Sequence, residues 1–234
     1  MRVKNGKTIR NLSVRSFRAA GKRNLIAAAA IVLTTVLFTS LFTIVMSLNE
    51  SYQTYTFRQI GGYAHGSFKD VTDEQAQAIE NHRKVKEAGE RIVAGTMTEG
   101  VFAKNPAEIS YMDENNARWS YIDLKEGHMP QRENEIILDE AALELLGVTP
   151  RIGEQVTLTY EVHDKKQSGG SRTDTFVLCG WWEYDSISPV HYINVSRTYV
   201  ENLEREMRAK GMEPFRIDLN VMLPFSLNID KTME

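Results

Sequence analysis

The chain has 234 residues, 42% of them hydrophobic and 25% charged, the balance of a folded protein rather than of a disordered one. Its net charge of −3 conceals a sharp asymmetry. Arg2, Lys4, Lys7, Arg10, Arg15, Arg18, Lys22 and Arg23 fall within the first 23 residues with no acid among them, and every acidic residue comes later. The single cysteine, Cys179, excludes an intramolecular disulfide, so a domain outside the cell would depend on its own apolar core.

In chain order, residues 1–23 form a basic segment. Ile9, Leu12, Ser16, Phe17 and Ala20 share one helical face, with Arg10, Arg15, Arg18 and Lys22 largely on others. That pattern predicts an amphipathic helix at a membrane surface. A basic run can also bind nucleic acid, but an adjoining apolar span favours lipid headgroups as the counter-charge, and no nucleic-acid partner is expected.

Leu25 to Leu48 reads LIAAAAIVLTTVLFTSLFTIVMSL, without a charge, Asn, Gln, Pro or Gly. At about 1.5 Å per residue it reaches roughly 36 Å, against a hydrocarbon core of about 30 Å. A cleaved signal peptide would have an apolar region of only about 7–15 residues, followed by a small-x-small site. Met46-Ser47-Leu48-Asn49-Glu50 lacks that pattern, so the reading is an uncleaved transmembrane helix over 24–48. The basic flank places the N-terminus in the cytoplasm and residues after about 48 outside. Thr35, Thr39, Thr43 and Ser47 recur every fourth residue. They either pack against a neighbouring helix or bond to carbonyls of their own helix.

Beyond the span, residues 49–60 read as a helical stalk stopped by Gly61-Gly62. Gly62–Lys69 predicts a strand. Thr72 and Gln75 form a capping box opening a helix to about His82. Arg91–Met97 predicts a strand, and Glu108–Asp113 with Ala117–Asp123 predicts a hairpin turning at Glu114-Asn115-Asn116. Glu135–Leu138 is a short strand leading to a helix over Asp139–Leu146, capped by Asp139 and closed by Gly147. Val156, Leu158, Tyr160 and Val162 alternate along Glu154–Val162. Lys165–Ser171 predicts a polar loop before a returning strand over Thr173–Tyr184. His191–Val195 is a further strand, Ser196 caps a helix to Lys210 closed by Gly211, and Arg216–Leu223 is the last strand. Strands and helices alternate irregularly, which predicts an α+β domain of mixed topology over 61–234, with room for two subdomains.

No phosphate-binding glycine loop, nucleophile elbow or H-E-x-x-H helix occurs. His65, His82, His128, His163 and His191 are too scattered to share a metal-ligand spacing and read as surface or loop residues. Cys179, in the apolar run Phe176–Cys179, reads as buried packing. Trp181 and Trp182, on alternate sides of a strand, face a ligand, a partner or the core, and the favoured reading is one toward the core and one toward an interface. Tyr111, Trp119 and Tyr121 either line a cargo surface or fill the core. The expectation is therefore of no catalytic, metal or cofactor site and of no enzyme.

Gly127–Leu158 reads GHMPQRENEIILDEAALELLGVTPRIGEQVTL. This ordered unit resembles the G-x-x-P … E-I-[IV]-L-[DS]-E … L-G-[VI] … [IV]-G-[DE]-x-[VI]-x-L segment in the extracytoplasmic core domain of bacterial MacB/FtsX-type ABC transporter permeases. Asn11–Ser16 and Lys22–Leu25 resemble that family's N-terminal segment. The resemblance implies a permease subunit in the cell membrane, coupled to ATP hydrolysis by a separate ATP-binding cassette ATPase. It also implies partnership with the remaining permease helices or a second permease copy. Lipoproteins, peptides or antimicrobial compounds are the implied cargo classes, and no residue selects among them. Family members continue into further membrane helices; no second apolar span follows here, so the expectation is a fragment or a truncated product. The competing expectation is a single-pass anchored binding or sensor domain.

Overall fold

The computed structural model describes residues 5–164, 167–213 and 215–224. Arg2 and Lys4 of the basic segment, Lys165-Lys166 of the polar loop and the terminal Asn228–Glu234 lie outside the described residues. The chain divides into two compact units, residues 1–54 and 55–234.

Among its described residues the first unit is almost entirely helical. Helix α1 (Gly6–Ala19) carries Ile9, Leu12 and Phe17, all exposed. Asn24 donates its side-chain N–H to the Phe17 carbonyl at 2.9 Å, bridging α1 to the next helix. Helix α2 runs from Gly21 to Gln59 without interruption, so the apolar span and the expected stalk are one 39-residue helix. It is long and apolar enough to cross a membrane, and none of its apolar window is buried within the protein. Leu33, Leu37, Phe42 and Val45 all stand more than half exposed. Burying a Leu- or Phe-sized side chain contributes about 1.5–3 kcal/mol in water, so a water-soluble helix would not leave a row of them bare. Lipid is the solvent that this surface suits.

Two residues of the hydroxyl stripe make bonds within their own helix. Thr35 donates to Ile31 O and Thr43 to Thr39 O, each at 2.8 Å. The last turn of α2, from Tyr55, belongs to the second unit. Its end is built as expected. Gly61 adopts φ +87°, its N–H bonds to Arg58 O at 3.1 Å, and Gly62 N–H reaches back to Phe57 O at 2.9 Å. This left-handed reversal satisfies carbonyls that the helix end would otherwise orphan.

The second unit is a nine-stranded mixed sheet with four helices around it. Its elements are β1 (Gly66–Val71), α3 (Asp73–Glu80), β2 (Glu87–Met97), β3 (Ala107–Met112), α4 (Glu114–Trp119), β4 (Leu124–Gly127), β5 (Glu135–Asp139), α5 (Glu140–Leu146), β6 (Gln155–Asp164), β7 (Gln167–Trp182), β8 (His191–Val195), α6 (Arg197–Ala209) and β9 (Ile217–Met222). The strand order is β1-β9-β2-β3-β8-β5-β7-β4, and β6 pairs with both β2 and β7. The pairing therefore closes a ring, β2-β3-β8-β5-β7-β6, back onto β2. Closure requires β2 and β6 to approach closely, and Gly95 permits it. A Cβ there would lie 2.3 Å from Glu161 O. Most pairs are antiparallel; β3–β8 and β5–β7 are parallel.

The core fills this ring and the space beneath the helices. Val156, Leu158, Tyr160 and Val162 of β6 are buried, as their alternation predicts. Every residue of β5 and of β8 is buried, so these central strands are covered on both faces. Helix α6 contributes Tyr199, Val200, Leu203 and Met207. The Tyr160 and Tyr199 hydroxyls each donate their one proton to Asp174 Oδ2, at 2.9 and 2.6 Å, which brings the two phenol oxygens side by side. Burial alone would raise the Asp174 carboxyl, but hydrogen bonds from Arg172, Tyr199 and Tyr160 outweigh it and hold the group below its ordinary value.

Three predicted elements differ from the structure. The hairpin around Glu114-Asn115-Asn116 is absent, because those residues open α4 instead. Asp113 caps the helix by accepting from Asn116 N–H at 2.8 Å, while Asn115 and Asn116 donate to the carbonyls of Ala88 and Gly89. Those tertiary bonds turn a turn-prone triplet into a helix start. The first strand begins at Gly66 rather than Gly62, since 62–65 complete the helix stop. Strand β7 takes in Gln167–Ser171, which the polar composition assigned to a loop; Gly170 to Arg172 pair with Val162 to Tyr160.

Candidate functional site

No constellation for covalent or acid–base catalysis assembles among the described residues. The nearest approach is a buried pair on facing strands, in which His191 Nδ1 lies 2.9 Å from Asp139 Oδ2 and both side chains are 1% exposed. Asp139 also caps α5, accepting from Ala142 N–H at 2.8 Å. His191 is stacked on Tyr184 at 4.4 Å and meets Phe102 edge-on at 5.9 Å. Its Nε2 has no hydrogen-bond partner, so no hydroxyl or thiol stands where a nucleophile would need to be. His191 is thus a core residue rather than the surface residue its sequence context indicated. His128 and His82 are exposed, and His65 and His163 are half-buried.

The region with most structural purpose is the collar around residues 55–63 in the second unit. The Arg58 guanidinium lies 5.3 Å above the Tyr121 ring, and its Nε is 3.5 Å from Asp185 Oδ2. Tyr63 packs on Tyr121 with ring centroids 5.3 Å apart, and Tyr63 N–H donates to Trp119 O at 3.2 Å. A Cβ on Gly61 would lie 2.4 Å from the Tyr192 hydroxyl, so only glycine lets the chain pass there. Tyr121 itself holds a left-handed backbone, φ +61°, directly after α4, a conformation costing a non-glycine residue about 1–2 kcal/mol. Its ring contacts with Tyr63 and Arg58 offset that strain. Burial raises the Tyr121 phenol, with the Arg58 charge opposing. Arg58, Tyr63, Tyr121 and Tyr184 line an open cleft of ≈ 640 Å³.

These contacts settle several sequence alternatives. Trp119 is buried and Tyr111 half-buried under the Arg197 guanidinium, so both belong with the core rather than with a cargo surface. Tyr121 lines the cleft. Trp182 is buried, and Trp181 is partly buried with Lys125 Nζ 5.5 Å from its ring. The two tryptophans pack against different core clusters, Trp181 against the larger one and Trp182 within the smaller. Arg58 and Tyr63 had no distinguishing signal in the sequence beyond their position at the helix stop.

The fold also gathers residues that are distant in sequence. His128 follows β4, Glu135 opens β5 and Cys179 lies in β7, and one ligand atom from each converges within 4.8 Å. Cys179 is buried, as expected, and burial followed by the Glu135 charge pushes its thiol up to about 12. Burial would raise the Glu135 carboxyl, but backbone N–H groups of Arg132 and Gln131 reverse the sign and hold it lowered.

No protein-family model matches the chain, and no curated protein matches it. Three of the solved structures that it is similar to come from transport proteins or permeases. One is the extracellular domain of the noncanonic ABC-type transporter YknZ from Gram-positive bacteria, at 12% identity over 71% of this chain and 78% of that one, with a TM-score of 0.43. A second is the periplasmic region of MacB from Actinobacillus actinomycetemcomitans, at 11% identity over 71% and 72%, with a TM-score of 0.41. A third is a domain of a protein described as a permease from Porphyromonas gingivalis, at 11% identity over 74% and 85%, with a TM-score of 0.29. MacB is also the name carried by the family that the sequence resembles.

Proposed function

We propose that the chain is the N-terminal part of a FtsX/MacB-type ABC transporter permease subunit that carries movement from a cytoplasmic ATPase to an external domain. The observation that carries this reading is the ordered segment 127–158. Its family-like residues fold as strand β5, an Asp139-capped two-turn helix, a left-handed Gly147 at φ +70°, a second left-handed glycine, Gly153, at φ +93°, and strand β6. Asp139, Gly147 and Gly153 of the motif thus each have a backbone role, one as helix cap and two as left-handed turns.

In this reading residues 1–23 lie on the cytoplasmic face with their basic side chains among lipid headgroups, and 24–48 cross the bilayer. Residues 49–60 form the stalk and 61–234 stand outside as a MacB-like core domain. The subunit itself hydrolyses nothing. Its partners are the lipid bilayer, an ATP-binding cassette ATPase, and the remaining permease helices or a second permease copy. The Arg58–Tyr121–Asp185 collar is where force from the helix end would enter the external sheet.

Two measurements test this. A tag at Met1 should be reachable only after the cells are permeabilised; labelling in intact cells, or mature protein in the medium without its first fifty residues, overturns the anchor. Cross-linking in native membranes should join the chain to an ABC-type ATPase, and Arg58→Ala should lower cargo-dependent stimulation of that ATPase by at least about tenfold, the loss expected when about 1.4 kcal/mol of coupling goes. Capture of no ATPase would leave a single-pass anchored domain.

A further inference from the structure

The loop that joins β4 to β5 is held against β7 by close backbone contacts and hydrogen bonds. Gly127, at φ +93°, pairs with Gly180, and a Cβ on Gly127 would lie 2.0 Å from Cys179 O. His128 N–H donates to Cys179 O at 3.0 Å, and the Cys179 thiol donates back to His128 O at 3.4 Å. Glu135 is fixed from the other side, because its Oε2 accepts from Gln131 N–H at 2.8 Å and from Arg132 N–H at 3.0 Å. His128 Nδ1 sits 2.9 Å from Met129 O, which orients the ring. Three different ligand types, imidazole, carboxylate and thiol, are therefore presented to one point by backbone geometry rather than by flexible side chains alone. Cys179 and Glu135 are buried, and His128 is exposed.

We propose that His128, Glu135 and Cys179 form a three-ligand site for Zn²⁺, with the fourth position open to solvent on the His128 side. Zn²⁺ accepts this mixture of nitrogen, oxygen and sulfur donors in tetrahedral geometry, with bonds of about 2.0–2.3 Å. Ligand atoms around one such ion stand about 3.3–3.8 Å apart. The ligand atoms here already lie within 4.8 Å of one another, so closure by about 1.0–1.5 Å brings them to that spacing. On binding, the Cys179 S–H bond breaks, a sulfur–zinc bond forms and the proton leaves to solvent; no oxidant or reductant is involved. A buried thiol that otherwise packs in the core and donates to His128 O becomes a ligand beside the Glu135 carboxylate. The site would pin the 127–135 loop to β7. It is independent of the transport reading, since it needs neither an ATPase nor a bilayer.

The test uses the full chain, without a polyhistidine tag, in detergent micelles, titrated with Zn²⁺ and separately with Co²⁺. One Zn²⁺ should bind per chain with release of protons. Co²⁺ should give a sulfur-to-cobalt charge-transfer band in the near ultraviolet together with the visible bands of a four-coordinate ion. His128→Ala removes only an exposed side chain and should fold unchanged. It should weaken Zn²⁺ binding by more than about 100-fold, because even the outer partners of metal ligands are worth about 10- to 100-fold. Cys179→Ser should abolish the charge-transfer band. Absence of that band in the parent chain, or Zn²⁺ affinity unchanged in His128→Ala, overturns the site.

Discussion

The first unit and the second bury apolar surface by opposite means. In α1 and α2, Leu12, Leu25, Leu33 and Phe42 touch little else in the protein and remain exposed. In the sheet domain, Ile136, Leu138, Leu178 and Ile193 are each at 0% exposure, covered by strands and helices from elsewhere in the chain. A helix satisfies its own backbone and needs only a solvent of matching polarity, so lipid can stand where a core would. A sheet must borrow both its hydrogen bonds and its cover from distant residues. The difference means that a substitution in α2 should be felt as a change in partition between water and lipid. In the domain it should be felt as a change in packing.

The largest effect should come from the domain core. Phe176 packs edge-on against Tyr199 with centroids 5.0 Å apart and is 1% exposed. Phe176→Ala should cost about 3–5 kcal/mol in denaturant unfolding. Leu37→Ala, in the middle of the span, should leave that unfolding midpoint where it is; a shift comparable to that of Phe176→Ala would break the contrast. Leu37→Arg addresses the other side. On the insertion scale it costs about 3 kcal/mol, so a larger fraction of the chain should be released from membranes by alkaline extraction, with domain unfolding unaltered.

A smaller effect tests electrostatics inside the sheet domain. Asp174→Asn keeps the shape but removes the charge to which Arg172, Tyr160 and Tyr199 donate, and should cost about 1–2 kcal/mol at neutral pH. The folded-state pKa of Asp174 is lowered, so its contribution is present above the ordinary value of 3.8 and is lost as pH falls through the lower folded value. The unfolding difference between parent and variant should therefore shrink toward zero in strong acid and hold steady from pH 5 to 7. The smallest is local. Thr72 accepts from Gln75 N–H at 3.4 Å while Gln75 Oε1 accepts from Thr72 N–H at 2.9 Å, and Thr72→Ala should cost about 1 kcal/mol of α3. An equal loss in α2 helicity would mean that the two units do not respond separately.

What could be read along the chain was whatever depends on neighbours within a few residues. The 24-residue apolar run, the capping box at Thr72, the caps at Asp139 and Ser196, the helix stops at Gly61, Gly147 and Gly211 and the alternation of β6 all follow from near-neighbour sterics and hydrogen bonds, and all are found. The family-like segment 127–158 was legible for the same reason: its strand, helix and two turns are contiguous. Closure of the sheet through Gly95 could not be read, because the contact joins residues more than sixty positions apart. The same holds for the conversion of Glu114-Asn115-Asn116 from turn to helix, which depends on carbonyls of β2. His191 read as a surface residue, and only the neighbouring strand that brings Asp139 to 2.9 Å places it in the core; Cys179 is buried as its apolar run implied, but nothing local shows that His128 and Glu135 come to it. Local sequence sets which backbone shapes are cheap, whereas the meeting of distant polar groups is decided only when the sheet closes around them.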